Sequence, residues 1–168
     1  MSKLTMVEAL NLALTQEMAR DENVCLMGED IGVNGGVFRT TKGLQKKHGE
    51  TRVMDTPLAE CGIVGTAVGM AIYGLRPVVE IQFSGFTMQA FDQIEQNMAR
   101  LRNRTRGKYT VPMVLRTPYG GGIRAVGVVG IAGGVGAVGA LTCRSACVNC
   151  GTLPEHALIT ACDLTLNP

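Results

Sequence analysis

Tryptophan is absent from this sequence, and phenylalanine and tyrosine together supply only 4% of its 168 residues. So few aromatics leave no stacking platform of the kind that single-stranded nucleic acid needs. The formal net charge of +2 is also too small to argue for nucleic acid as a partner. No stretch reaches the ~18 uninterrupted apolar residues of a spanning helix. Met1-Ser2-Lys3-Leu4-Thr5 has no apolar core of a signal peptide. The expectation is a soluble protein with no membrane partner, cytoplasmic or, in a eukaryote, in the mitochondrial matrix. Its six cysteines are then expected to be reduced.

What is present is aliphatic: the hydrophobic share is 46%, with 22 glycines. That balance suits an α/β protein with buried parallel strands better than a β-sandwich. The averages hide a seam near Ala125. Residues 1–125 carry 27 of the 30 charged residues and all seven aromatics, whereas residues 126–168 carry three charges and four of the six cysteines. Residues 1–125 are read as one domain and residues 126–168 as a tail of a different kind.

Thr5 and Glu8 form a capping box ahead of a helix whose apolar face runs through Val7, Leu10, Leu14 and Met18 and ends near Arg20-Asp21. Val24-Cys25-Leu26-Met27 reads as a buried strand. Glu29-Asp30 then lies just beyond that strand's carboxyl end, where ligands bind in open α/β sheets. A short helix is expected over Thr41–His48, closed by Gly49, and a second strand at Arg52-Val53-Met54. Arg76 to Phe83 reads as a third strand, and Phe86, Ala90, Ile94 and Met98 mark one face of a helix reaching Asn103. Arg100, Arg102, Arg104, Arg106 and Lys108 are cations at its C-terminus, facing solvent or a partner. A fourth strand covers Val111–Arg116. Strand and helix alternate with short connections, which predicts a doubly wound, mostly parallel sheet.

The stretch Asp55-Thr56-Pro57-Leu58-Ala59-Glu60-Cys61-Gly62 is the centre of the functional reading. Pro57 holds Thr56 out of helical geometry, and a helix rich in Gly62, Gly65, Thr66, Ala67 and Gly69 follows. Each glycine costs a helix about 1 kcal/mol relative to alanine. Three of them are expected to mean that another backbone packs very close. Glu60, at the first turn, is either a partly desolvated acid poised to share a proton or a plain partner of the helix dipole.

With Glu29-Asp30, Asp55–Glu60, Glu80-Ile81-Gln82-Phe83 and Arg116-Thr117-Pro118 in hand, residues 4–125 resemble a known family. It is the beta subunit of the decarboxylating component of 2-oxo acid dehydrogenase complexes, of the pyruvate and branched-chain types. Gly35-Gly36-Val37-Phe38-Arg39, Gly74-Leu75-Arg76-Pro77, Ala90-Phe91-Asp92-Gln93-Ile94 and Gly120-Gly121-Gly122 also match, in order. The resemblance implies a transketolase-like pyrimidine-binding domain for thiamin diphosphate. It implies an alpha subunit supplying the Mg²⁺ and diphosphate site in an alpha2-beta2 heterotetramer, and a lipoyl acyltransferase core that accepts the acyl group. Pyruvate is the first choice of 2-oxo acid, a branched-chain 2-oxo acid the second. Glu60 matches the glutamate that bonds the pyrimidine ring nitrogen, and is the catalytic candidate. Phe86 matches the aromatic stacked on that ring, Leu58 and Gln82 match pocket-lining residues, and Glu29 matches an acid near the cofactor. The same resemblance implies close packing of the glycine-rich helix at a subunit interface.

After Ala125 the family pattern, including a Pro-Glu-His-His-Ser-like segment, gives way to Val126-Gly127-Val128-Val129. The reading is of an incomplete domain followed by a tail translated out of frame, with the chain inactive on its own. His156 receives no catalytic role. Gly134-Val135-Gly136-Ala137-Val138-Gly139 fits G-x-G-x-x-G without the acid a ribose needs. Cys143, Cys147, Cys150 and Cys162 offer four thiolates, which makes a zinc site the alternative reading of the tail. A non-catalytic interaction fragment is the alternative for the whole chain.

Overall fold

The computed structural model describes residues 4–118. The domain boundary at residue 125, the glycine-rich loop and the tail cysteines all lie outside the described residues. Helix α1 (Met6–Arg20) starts from the predicted capping box: Thr5 Oγ1 accepts the Glu8 N–H, and Glu8 Oε2 accepts the Thr5 N–H at 2.8 Å. Strand β1 (Val24–Gly28) is buried along its whole length. Helix α2 (Leu44–His48), strand β2 (Val53–Asp55), helix α3 (Glu60–Ile72) and strand β3 (Arg76–Glu80) follow. A 3₁₀ segment (Ser84–Ala90), a π-helical segment (Gln93–Met98), helix α4 (Leu101–Arg104) and strand β4 (Val114–Arg116) complete the described chain.

The four strands are parallel, in the order β2-β1-β3-β4. Alternate side chains of β1 and β3 enter two different cores, as a sheet covered on both faces requires. Leu26 and Val78 pack with Leu14, Met18, Leu44 and Val53 on the side of α1 and α2. Met27 and Val79 pack with Ile63, Val64, Ala67, Ala71 and Met98 on the side of α3 and the segments after β3. Arg52 locks α1 to β1, its guanidinium donating to the carbonyls of Met18 (2.9 Å), Asp21 (2.9 Å) and Val24 (2.7 Å).

Five sequence expectations are corrected. Helix α2 begins at Leu44 rather than Thr41, because Gly43 at φ 82° is left-handed and breaks the turn before it. Strand β3 stops at Glu80, and the chain tightens into 3₁₀ geometry at Ser84, whose carbonyl accepts the Thr87 hydroxyl at 2.6 Å. Strand β4 pairs with β3 only from Val114 onward.

The single helix expected over 86–103 is three segments of different pitch. Ala99 N–H bonds Ile94 O five residues back at 2.9 Å, widening the turn, while the Gln93 side chain is pressed against Gly65 of α3. Ala90 and Met98 are nevertheless buried, so the spacing gave the core-facing side and tertiary contacts set the pitch.

The glycines of α3 also differ from expectation. A Cβ at Gly65 would meet the Gln93 side chain at 3.3 Å, and one at Gly62 only Ala59 Cβ at 3.8 Å. A Cβ at Gly69 would meet nothing within 4 Å. Among the described residues no other backbone closes on Gly62 or Gly69, and Gly62, Thr66, Gly69 and Tyr73 line an exposed stripe.

Candidate active site

The last paired row of the sheet reads Asp55, Gly28, Glu80, Arg116 across the four strands. Three of these four positions are ionisable, at the carboxyl edge where α/β proteins bind ligands. Gly28 occupies the crowded position: a Cβ there would lie 2.7 Å from the Glu80 carbonyl. Glu29 follows it immediately and is 5% exposed. Glu60 opens α3 and is 2% exposed. No side chain caps that helix; its N-cap is Ala59, so the first turn's N–H groups favour an acid beside them.

Burial first, then the charges of Glu60 and Asp30, push the Glu29 carboxyl above the usual carboxylate range. The Glu60 carboxylate is therefore close enough to act on Glu29. Glu29 Oε2 and Glu60 Oε2 are buried with no hydrogen-bond partner among the described residues. Thr56 Oγ1, just past β2, and Thr117 Oγ1, just past β4, share that condition. An unsatisfied buried polar group costs about 1–3 kcal/mol. Four along one edge of one sheet mark a place shaped for a polar ligand rather than for the fold.

The other candidates are less enclosed than the two acids. Gln82 is half-buried in the link after β3. Phe86, in the 3₁₀ segment that packs on α3, is 38% exposed, and its ring meets that of Phe83 edge-on at 5.7 Å. Leu58 is 73% exposed, two residues before Glu60. Sequence reasoning assigned no role to Asp55, Thr56, Glu80, Arg116 or Thr117. Their common signal was position, since each ends or directly follows a strand.

Glu80 is the best-partnered acid of the row. Its carboxylate pairs with the buried guanidinium of Arg116 and accepts the Val37 N–H at 2.7 Å through Oε1. Burial lowers the Arg116 pKa to about 10, which leaves it charged at neutral pH. Asp55 Oδ1 accepts the Gly32 N–H at 2.6 Å. Both strand-end carboxylates thus hold the loop that follows Glu29.

The family described as "Transketolase, pyrimidine binding domain" matches residues 2–127. The "Pyruvate dehydrogenase E1 component subunit beta" of Acholeplasma laidlawii is 59% identical over 126 residues, 75% of this chain and 38% of that protein. The subunits of that name from Staphylococcus epidermidis and Bacillus subtilis are 56% and 54% identical over 123 residues, again 73% of this chain and 38% of each relative. The chain spans 38% of the length of these relatives. The parallel sheet with helices agrees with those matches, and the chain belongs to the transketolase pyrimidine-binding domain family.

Proposed function

We propose that this chain is the pyrimidine-binding part of the beta subunit of a thiamin-diphosphate-dependent 2-oxo acid dehydrogenase, with pyruvate as substrate. The observation that carries the reading is Glu60, an acid nine-tenths buried or more at a helix start, with an oxygen that no group among the described residues satisfies. An aminopyrimidine ring fits that oxygen, because its ring nitrogen can share a proton there. Thiamin diphosphate, when bound, supplies the carbon nucleophile and the electron sink for decarboxylation. Glu60 holds or releases the proton at the ring nitrogen, in a site that excludes water and so strengthens the bond. Glu29 is the second acid beside the cofactor and keeps the local field from being that of Glu60 alone. Phe86 offers a ring face for stacking, and Leu58 and Gln82 line the pocket.

An alpha subunit supplies the Mg²⁺ and diphosphate half of the site in an alpha2-beta2 heterotetramer, and a lipoyl acyltransferase receives the acyl group. The similarity to beta subunits of pyruvate dehydrogenase supports that arrangement. No helix among the described residues is long and apolar enough to cross a membrane, which accords with a cytoplasmic enzyme. The test is titration of thiamin diphosphate, with Mg²⁺, into the chain co-purified with a pyruvate dehydrogenase alpha subunit. The expected result is saturable binding by the complex and none by the chain alone. A complex that assembles but binds no cofactor would instead favour a non-catalytic interaction fragment.

A further inference from the structure

The buried Glu80–Arg116 pair has no role in the scheme above, yet it is tied to the loop carrying Glu29. We propose that Glu80, backed by Arg116, is a positioning residue that clamps loop 30–41 over the end of the sheet and thereby fixes Glu29 at the cofactor. The inference rests on the reading of Glu29 as a cofactor-facing acid.

The contacts run in an unbroken series. Arg116 at the end of β4 pairs with Glu80 at the end of β3. Glu80 Oε1 accepts the Val37 N–H at 2.7 Å, and Gly36 N–H bonds the Asp30 carbonyl at 2.8 Å, one residue from Glu29. Gly36 is at φ 70°, and a Cβ there would lie 2.7 Å from Glu80 Oε1. The loop backbone is therefore seated directly on the carboxylate. From below, Gly28 presses on the Glu80 main chain, so the residue preceding Glu29 is gauged against the same strand end.

The loop needs such a clamp. Asp30, Phe38 and Arg39 all adopt positive φ (55°, 53° and 62°), an arrangement non-glycine residues keep only when their surroundings over-determine it. Asp55 on Gly32, Thr41 Oγ1 on the Ile31 carbonyl (2.6 Å) and Asn11 Nδ2 on the Thr40 carbonyl (2.7 Å) fix the two ends of the loop. Glu80 holds its middle to the sheet through the Val37 N–H. A charge-assisted bond to a buried carboxylate suits that task.

The experiment compares hydrogen exchange in the full chain with thiamin diphosphate affinity in the complex with the alpha subunit. Glu80→Ala removes the clamp, and Gly36→Ala pries it open from the loop side while keeping both members of the buried pair. Met98→Ala, in the core on the other face of the sheet, serves as a control for lost stability alone. Both clamp variants should exchange at least tenfold faster over residues 30–41 with β1 unchanged, and bind the cofactor at least tenfold more weakly than the Met98→Ala complex. If Glu80→Ala fails to fold, Gly36→Ala carries the test. Unchanged exchange over 30–41, or a loosened loop with affinity within twofold of the control, overturns the proposal. A Glu60→Gln complex that turns over pyruvate like the wild type would overturn the cofactor reading instead, with the clamp still decided by exchange.

Discussion

Glu60 and Glu29 are two acids buried at the carboxyl edge of the sheet. Each keeps a buried oxygen without a partner among the described residues. For Glu29 the consequence can be read in pH. Its folded-state pKa is raised, mainly by burial, above the value in the unfolded chain. The stability associated with such a group is fully present below the unfolded pKa and is lost as pH rises through the folded one. Glu29→Gln cannot ionise and escapes that loss. Its melting temperature should therefore exceed the wild type's by a margin that widens from acid pH to neutrality; a margin independent of pH would count against the burial of this carboxyl. Glu60 was legible from its place after Thr56-Pro57 and before a glycine-rich helix. Glu80 was not, because a strand-end glutamate in a run of apolar residues looks like any other until its two partners are folded against it. Arg116 lies 36 residues away, and no local pattern links them.

At the level of elements, local signals were read well where local bonds decide. The Thr5–Glu8 capping box starts α1 as predicted, with both reciprocal bonds present. Thr5→Ala should lower stability by about 1 kcal/mol, measured by urea denaturation of the full chain. No effect would mean that α1 is held by packing alone. The buried strands set the larger scale: Leu26→Ala in the central strand should cost about 2–5 kcal/mol. A loss under 1 kcal/mol would contradict the burial of β1 between two cores. The region after β3 was read less well. Periodicity through Ala90, Ile94 and Met98 found the buried side, but the 3₁₀ and π geometry depends on Gln93 meeting Gly65 and on Thr87 bonding Ser84, which spacing does not encode. The glycines of α3 were visible as an anomaly, and their explanation was only half visible. Gly65 admits a side chain from within the chain, whereas the stripe of Gly62, Thr66 and Gly69 stays open to solvent.

At the scale of the molecule, a parallel sheet covered on both faces delivers Asp55, Glu29, Glu80 and Arg116 to one edge, and α3 adds Glu60 there. The alternation of strands and helices predicted that architecture because short right-handed crossovers leave few alternatives. What the sequence could not show is the division of labour along the edge. Asp55 and Glu80 are spent on holding a strained loop, while Glu29 and Glu60 each keep a buried oxygen without a partner among the described residues. The sharpest test of this division is carbon dioxide release from pyruvate by the chain complexed with an alpha subunit, thiamin diphosphate and Mg²⁺, comparing wild type with Glu60→Gln. A proton-sharing acid contributes roughly 10²–10⁴-fold. The glutamine complex should assemble normally and lose at least a hundredfold in rate; a rate within tenfold of wild type would contradict the account.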